Sequence, residues 1–166
     1  MASLFLKAAF AAYFIYGGKK MKYRLIQVAD WDLTPENRGF ISLSAREKAV
    51  WFFLLTNRHT HISGLYLISL GLIADHFPDL KPENIRKIMK KLAALKMILY
   101  DEKRGLLLIP GYWASQAQKL NAKIRSAVAQ QLRQFQAHPW VYKFLALYPQ
   151  FQDTLSDTLS DDLADE

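Results

Sequence analysis

Cysteine is absent from the 166 residues, which excludes disulfides, zinc–thiolate sites and thiol catalysis and fits a reducing compartment. Glycine is sparse: the seven glycines, Gly17, Gly18, Gly39, Gly64, Gly71, Gly105 and Gly111, are scattered and form neither a phosphate-cradling loop nor a nucleophile elbow. No paired-carboxylate motif stands out, and the spacing of Ser, His and Asp carries no catalytic pattern. Long apolar runs are missing too. The opening stretch over residues 4–16 is interrupted by Lys7 and falls short of the roughly 20 apolar residues that a membrane span needs, so stable membrane insertion is not expected. It also lacks a basic leader and a clear small-residue cleavage site before Gly17-Gly18-Lys19-Lys20. Three readings of residues 1–20 follow: a docked helix, an interfacial anchor, or upstream sequence from a misassigned start. The third is favoured, with Met21 opening the functional protein.

Basic residues are missing from the C-terminal end, where the acids gather. No Lys or Arg follows Pro149, whereas Asp153, Asp157, Asp161, Asp162, Asp165 and Glu166, six of the fifteen acids, all do. The other nine acids face all 22 lysines and arginines, which leaves +13 on residues 1–150. Such a bias selects a polyanionic partner, nucleic acid first and an anionic membrane surface second. The hydrophobic content of 51% rules out general disorder.

The organising stretch is PENIRKIMKKLAALK, residues 82–96. Ile85, Ile88, Met89, Leu92 and Leu95 recur at helical spacing and seek a core, while Arg86, Lys87, Lys90 and Lys91 fall on the other side. Pro82 and Glu83 suit a first helical turn. The period then shortens: apolar runs at residues 97–100 and 106–109 flank Asp101-Glu102-Lys103-Arg104-Gly105, the pattern of a hairpin with a charged tip.

Upstream, residues 23–29 are strand-like and residues 31–40 form a polar link. Ser44-Ala45-Arg46-Glu47 is a capping box, and the helix it opens, AVWFFLLT, is apolar on every side. Trp51, Phe52 and Phe53 therefore read as a buried helix before they read as a stacking platform for single strands. A turn at residues 57–63, a short strand at 64–68 and a helix over 70–77 capped by Ser69 and ended by Pro78 complete the order. Helix, strand, helix, turn, basic helix, hairpin is the order of a winged helix-turn-helix. Beyond Pro110-Gly111 one long helix is expected over residues 112–136. Its stripe of Ala117, Leu120, Ile124, Val128, Leu132 and Phe135 either folds back on the domain or pairs with a second copy as a homodimer. Its other face holds Lys119, Lys123, Arg125 and Arg133 with no acid. A short apolar helix over 140–148 and a low-complexity acidic tail follow.

The expected fold class is mainly α with a small β-sheet (α+β). The expected units are an apolar extension (1–20), a winged-helix DNA-binding domain (21–111), a helical extension (112–149) and a disordered acidic tail (150–166). By winged-helix geometry Arg86, Lys87, Lys90 and Lys91 supply groove and phosphate contacts, Asn84 is best suited to reading a base edge, and Lys103 and Arg104 hold the wing to phosphates. Asn57, Arg58, His59 and Thr60 are expected to donate to phosphate oxygens from the neighbouring turn. His59 and His61 lack further ligands at metal-site spacing, so neither a metal nor a cofactor is expected.

KYRLIQVADW, SLSAREKAVWFFLLTNRHTHISGLYLIS, IRKIMKKLAALKMILYDEKRGLLLIPGY and the later Leu-Tyr-Pro followed by Asp-Thr-Leu-Ser resemble the N-terminal winged-helix domain of phage and prophage replication-initiation proteins, the replisome organisers. The resemblance covers residues 21–113 with a weaker echo to 160, and its most specific part is Leu-Leu-Thr-Asn-x-His-Thr leading to Ser-Gly-Leu-Tyr. Arg58 stands where the family commonly has Pro. The resemblance implies a non-enzymatic, double-stranded DNA-binding protein that marks a replication origin and recruits the host helicase or its loader, in the cytoplasm at the nucleoid. A small dimeric transcription regulator and a protein-interaction adaptor are the alternatives.

Overall fold

The computed structural model describes residues 38–116 and 121–152. The expectations for residues 1–20, the strand at 23–29, most of the polar link and the acidic tail from Asp153 onward lie outside the described residues. Within them the chain is mainly helical with one small antiparallel sheet: α1 (Arg38–Ile41), α2 (Ala45–Thr56), β1 (Leu65–Leu67), α3 (Leu70–Asp75), α4 (Pro82–Ala94), β2 (Leu99–Asp101), β3 (Leu106–Leu108), α5 (Tyr112–Gln116), α6 (Ala122–Gln134), α7 (Pro139–Leu147) and a 3₁₀ turn (Pro149–Phe151).

The capping box forms as the sequence requires. Glu47 Oε2 accepts from the Ser44 N–H at 2.7 Å and Ser44 Oγ accepts from the Glu47 N–H at 3.3 Å. Val50, Trp51, Leu54 and Leu55 of α2 are buried. Phe52 and Phe53 pack against the margin of the same core, so this aromatic run is a packing element.

Lys81 contributes no side-chain cap to α4; instead Asn84 Oδ1 accepts the Lys81 N–H at 3.2 Å. Ile85, Ile88, Met89 and Leu92 are buried. The helix closes two residues before the expected Lys96. Lys96 takes a left-handed φ of 60°, and the N–H groups of Met97 and Lys96 return to the Leu92 and Ala93 carbonyls at 3.0 and 2.9 Å, a Schellman closure that turns the chain into β2.

The sheet has the order β1-β3-β2, with Tyr66 opposite Leu107 and Tyr100 opposite Leu107 in antiparallel register. All three residues of β3 are buried because the sheet is covered on both faces. Tyr66, Ile68, Leu107 and Ile109 join α2, α3 and α4 in one core. Leu65, Leu106 and Leu108 point the other way, into a second core with Trp113, Val128, Leu132, Val141, Phe144 and Phe151. The helices after residue 111 thus use the sheet as their floor. Gly64, with φ +75°, permits the close approach: a Cβ there would sit 2.7 Å from both Ile109 O and Tyr112 Cβ.

The expected continuous helix over 112–136 is divided. Asn121 has extended backbone (φ −118°, ψ 166°) and its Oδ1 accepts from the Ile124 N–H at 2.9 Å, making it the N-cap of α6. Of the two readings of the apolar stripe, Val128 and Leu132 follow the one that folds back: both are fully buried against their own chain.

Candidate nucleic-acid interface

α4 has one flank held to α2 and the other held to the β2–β3 hairpin. Lys91 Nζ donates to Glu47 Oε2 at 2.7 Å, and Arg86 Nε donates to Glu102 Oε1 at 2.7 Å. Between those flanks Lys87 and Lys90 are exposed and have no ion-pair partner among the described residues. The Arg86 contact sets the hairpin tip beside α4, and Lys103, next to Glu102 in that tip, is exposed.

The tip itself is tightly tied. Asp101 Oδ1 accepts the N–H groups of Lys103 and Arg104 at 3.0 and 3.2 Å, and Arg104 Nη1 reaches Asp101 Oδ2 at 2.9 Å. The Arg104 guanidinium and backbone N–H, joined by His138, hold the Asp101 carboxyl down to about 2. Gly105 supplies the positive φ, +62°, that closes the turn.

Besides Arg86 and the Arg58–His59 pair, five of the expected contact residues are already engaged within the chain, to differing degrees. Asn57 and Thr60 are buried, which corrects the expectation that they face phosphates. The C-terminal half of α2 is apolar and buries Val50, Trp51, Leu54 and Leu55, and its final carbonyls are met by side-chain donors. Asn57 Nδ2 donates to the Phe53 and Leu54 carbonyls at 3.0 and 3.3 Å. Thr60 Oγ1 and the Tyr66 hydroxyl both donate to Leu54 O, at 3.1 and 2.5 Å, and the Tyr112 hydroxyl donates to Leu55 O at 2.8 Å. Burial pushes the Tyr66 hydroxyl well above its ordinary range, which keeps it a donor. Lys91 and Arg104 are the third and fourth, each folded onto an acid of its own chain. Asn84 is the fifth: its Oδ1 caps α4, so a bidentate reading of adenine would require the cap to open.

Arg58 and His59 are exposed and bonded to each other, Nε to Nε2 at 3.1 Å. No hydrogen bond or ion pair among the described residues links them to α4 or the hairpin. His61 Nδ1 is bonded to Ser63 Oγ at 2.8 Å, and among the described residues no group of three His, Asp or Glu side chains could hold a metal ion.

A second basic group was not among the expected contacts. α6 exposes Lys123, Arg125 and Arg133 on the far side of the sheet from α4. The sequence does carry its signal: residues 103–152 contain no Asp or Glu, so nothing in that span can neutralise them. No helix among the described residues is long and apolar enough to cross a membrane. No family model, no curated protein and no solved structure matches the chain.

Proposed function

We propose that the chain is a winged helix-turn-helix protein that binds double-stranded DNA, with α4 in the major groove and the β2–β3 hairpin as the wing on the adjacent backbone. The observation that supports this reading is the Arg86–Glu102 contact, which ties the hairpin tip that carries Lys103 to the helix that exposes Lys87 and Lys90. Arg86 and Asn84 of the same helix are the candidates for base contacts. Arg58 and His59 are candidates for a peripheral phosphate contact. The resemblance to replisome organisers extends the proposal to marking a phage or prophage replication origin in the cytoplasm and recruiting a helicase or its loader. The dimeric-regulator alternative loses its motive, because Val128 and Leu132 of the stripe that suggested a homodimer are buried within the chain.

Duplex binding across a salt series tests the proposal. Neutralising three phosphates gives a slope of log K against log salt of about −3. Affinity that is absent at low salt, or indifferent to salt, rejects it. Selection from a random duplex pool then separates the two roles: repeated sites bound by monomers support origin marking, and a palindrome bound by a dimer supports regulation.

A further inference from the structure

Charge is segregated along this chain in two consecutive blocks. Residues 103–152 carry Lys103, Arg104, Lys119, Lys123, Arg125, Arg133 and Lys143 and no acid, and residues 153–166 carry six acids and no base. The first block exposes Lys123, Arg125 and Arg133 along α6. Close to the C-terminal end of α6 a pocket of about 400 Å³ is lined by Leu67, Leu106 and Phe135 together with Arg104, Arg133 and His138. Leu67 is 47% exposed, an unusual state for a leucine in a strand whose neighbours are buried. The pocket therefore offers apolar wall and guanidinium side by side.

The second block has matching chemistry. Leu155, Leu159 and Leu163 recur every four residues, and Asp153, Asp157, Asp161 and Asp165 recur in step with them. The junction between the blocks is already at α6: Arg125 Nη1 lies 3.5 Å from Gln150 O, two residues before the last described residue. Arg125 and Arg133 are eight residues apart, about 12 Å along a helix axis, and the fourteen residues of the tail reach up to about 45 Å when extended.

We propose that residues 153–166 dock on the α6 face of their own chain, with aspartates on Arg125 and Arg133 and a leucine in the pocket beside Leu67. The covalent link at Gln152 holds the segment at high effective concentration over that face, which favours it over the tail of another copy. The proposal does not depend on the DNA-binding reading, and its test contains no DNA.

Because the chain has no cysteine, Ala164→Cys in the full-length protein can carry a single nitroxide label. At low salt, amide resonances of α6 and the pocket residues are expected to lose most of their intensity. The intensity should return at high salt, where exposed charges are screened, and in the Arg125→Glu/Arg133→Glu variant, whose fold is verified by its undisturbed α2 and α4 resonances. Broadening that is absent, that falls on α4, or that arises only when labelled chains are mixed with isotope-labelled ones overturns the intramolecular assignment.

Discussion

α4 and α6 are both thirteen-residue helices with a buried apolar face and a basic outward face, yet their charges are used differently. α4 lies among acids. Glu47 holds Lys91 to α2, Glu102 holds Arg86 to the hairpin, and nearby Asp79 takes Arg46 at 3.1 Å. α6 lies in a span without a single acid, and Lys123 and Arg133 have no ion pair among the described residues. A count of lysines and arginines rates the two faces alike. Subtracting the cations that the fold spends on its own acids leaves Lys87 and Lys90 as the free centre of one face and essentially the whole of the other.

The strongest way to break this comparison is to ask whether the two helices belong to one cooperative unit. The sheet carries both cores, with Tyr66 and Leu107 on one face and Leu65, Leu106 and Leu108 on the other. Truncating a fully buried aromatic costs about 3–5 kcal/mol, so Phe144→Ala, on the buried face of α7, is expected to lower the midpoint of a single denaturant transition followed by circular dichroism. Leu92→Ala in α4 should lower the same transition by about 2–5 kcal/mol. Two separated transitions in Phe144→Ala would show that the α6 layer unfolds alone.

The next effect separates the faces by ligand. Lys87→Glu with Lys90→Glu is expected to weaken duplex binding at least about tenfold and to flatten the salt slope by about 1.8, two phosphates' worth. Lys123→Glu with Arg133→Glu, the same change of charge on the other face, should alter affinity by less than about threefold, the residue of a long-range field that salt screens. Anisotropy titrations of both variants at matched ionic strength make the comparison. Equal losses would mean that the duplex does not distinguish the helices.

Much of this arrangement was legible beforehand because it is local. The Ser44–Glu47 box, the Ser69 cap, the Ile85–Ile88–Met89–Leu92 stripe and the hairpin around Gly105 each rest on chemistry within a few residues. What was not legible depended on distant partners. Asn57 and Thr60 look like free polar turn residues until Tyr66 and Tyr112 arrive to share the end of α2. Lys91 looks outward until Glu47, forty-four positions earlier, takes its charge. The long C-terminal helix looked continuous because residues 112–136 keep an apolar period; Asn121, a good N-cap within that run, was the signal for the break. Leu106-Leu107-Leu108 likewise announced a strand covered on both sides, an indication that the following helices would return to the sheet.

A smaller effect concerns the Lys91 tether. The Lys91 ammonium and the Ser44 N–H hold the Glu47 carboxyl below its ordinary value of 4.5. Stability from this group is therefore complete above that value and is lost as pH falls through the lower folded-state value. Glu47→Ala removes both the capping box and the pair, and a loss of about 1–1.5 kcal/mol is expected at neutral pH. The gap between wild type and variant in urea denaturation should narrow below about pH 4.5. A gap that stays constant down to pH 3 would mean that the carboxylate charge contributes nothing.

The smallest effect is the most diagnostic, because it runs against the usual direction of mutation. Glu102 does two things at the hairpin: it holds Arg86 in place, and it puts a negative charge beside the α4 helix that carries Lys87 and Lys90. The pair is exposed, with both side chains more than 40% accessible, so Glu102→Gln should change stability by less than about 0.5 kcal/mol. The tip turn should survive, since Asp101 and not Glu102 accepts its N–H groups. If Arg86 is being kept for phosphate, freeing it while removing the repulsion should tighten duplex binding about two- to fivefold and steepen the salt slope by about 0.9. If instead the pair is what positions the hairpin against α4, the same variant should bind more weakly with an unchanged slope. The sign of the change in affinity thus reports whether Arg86 belongs to the fold or to the ligand.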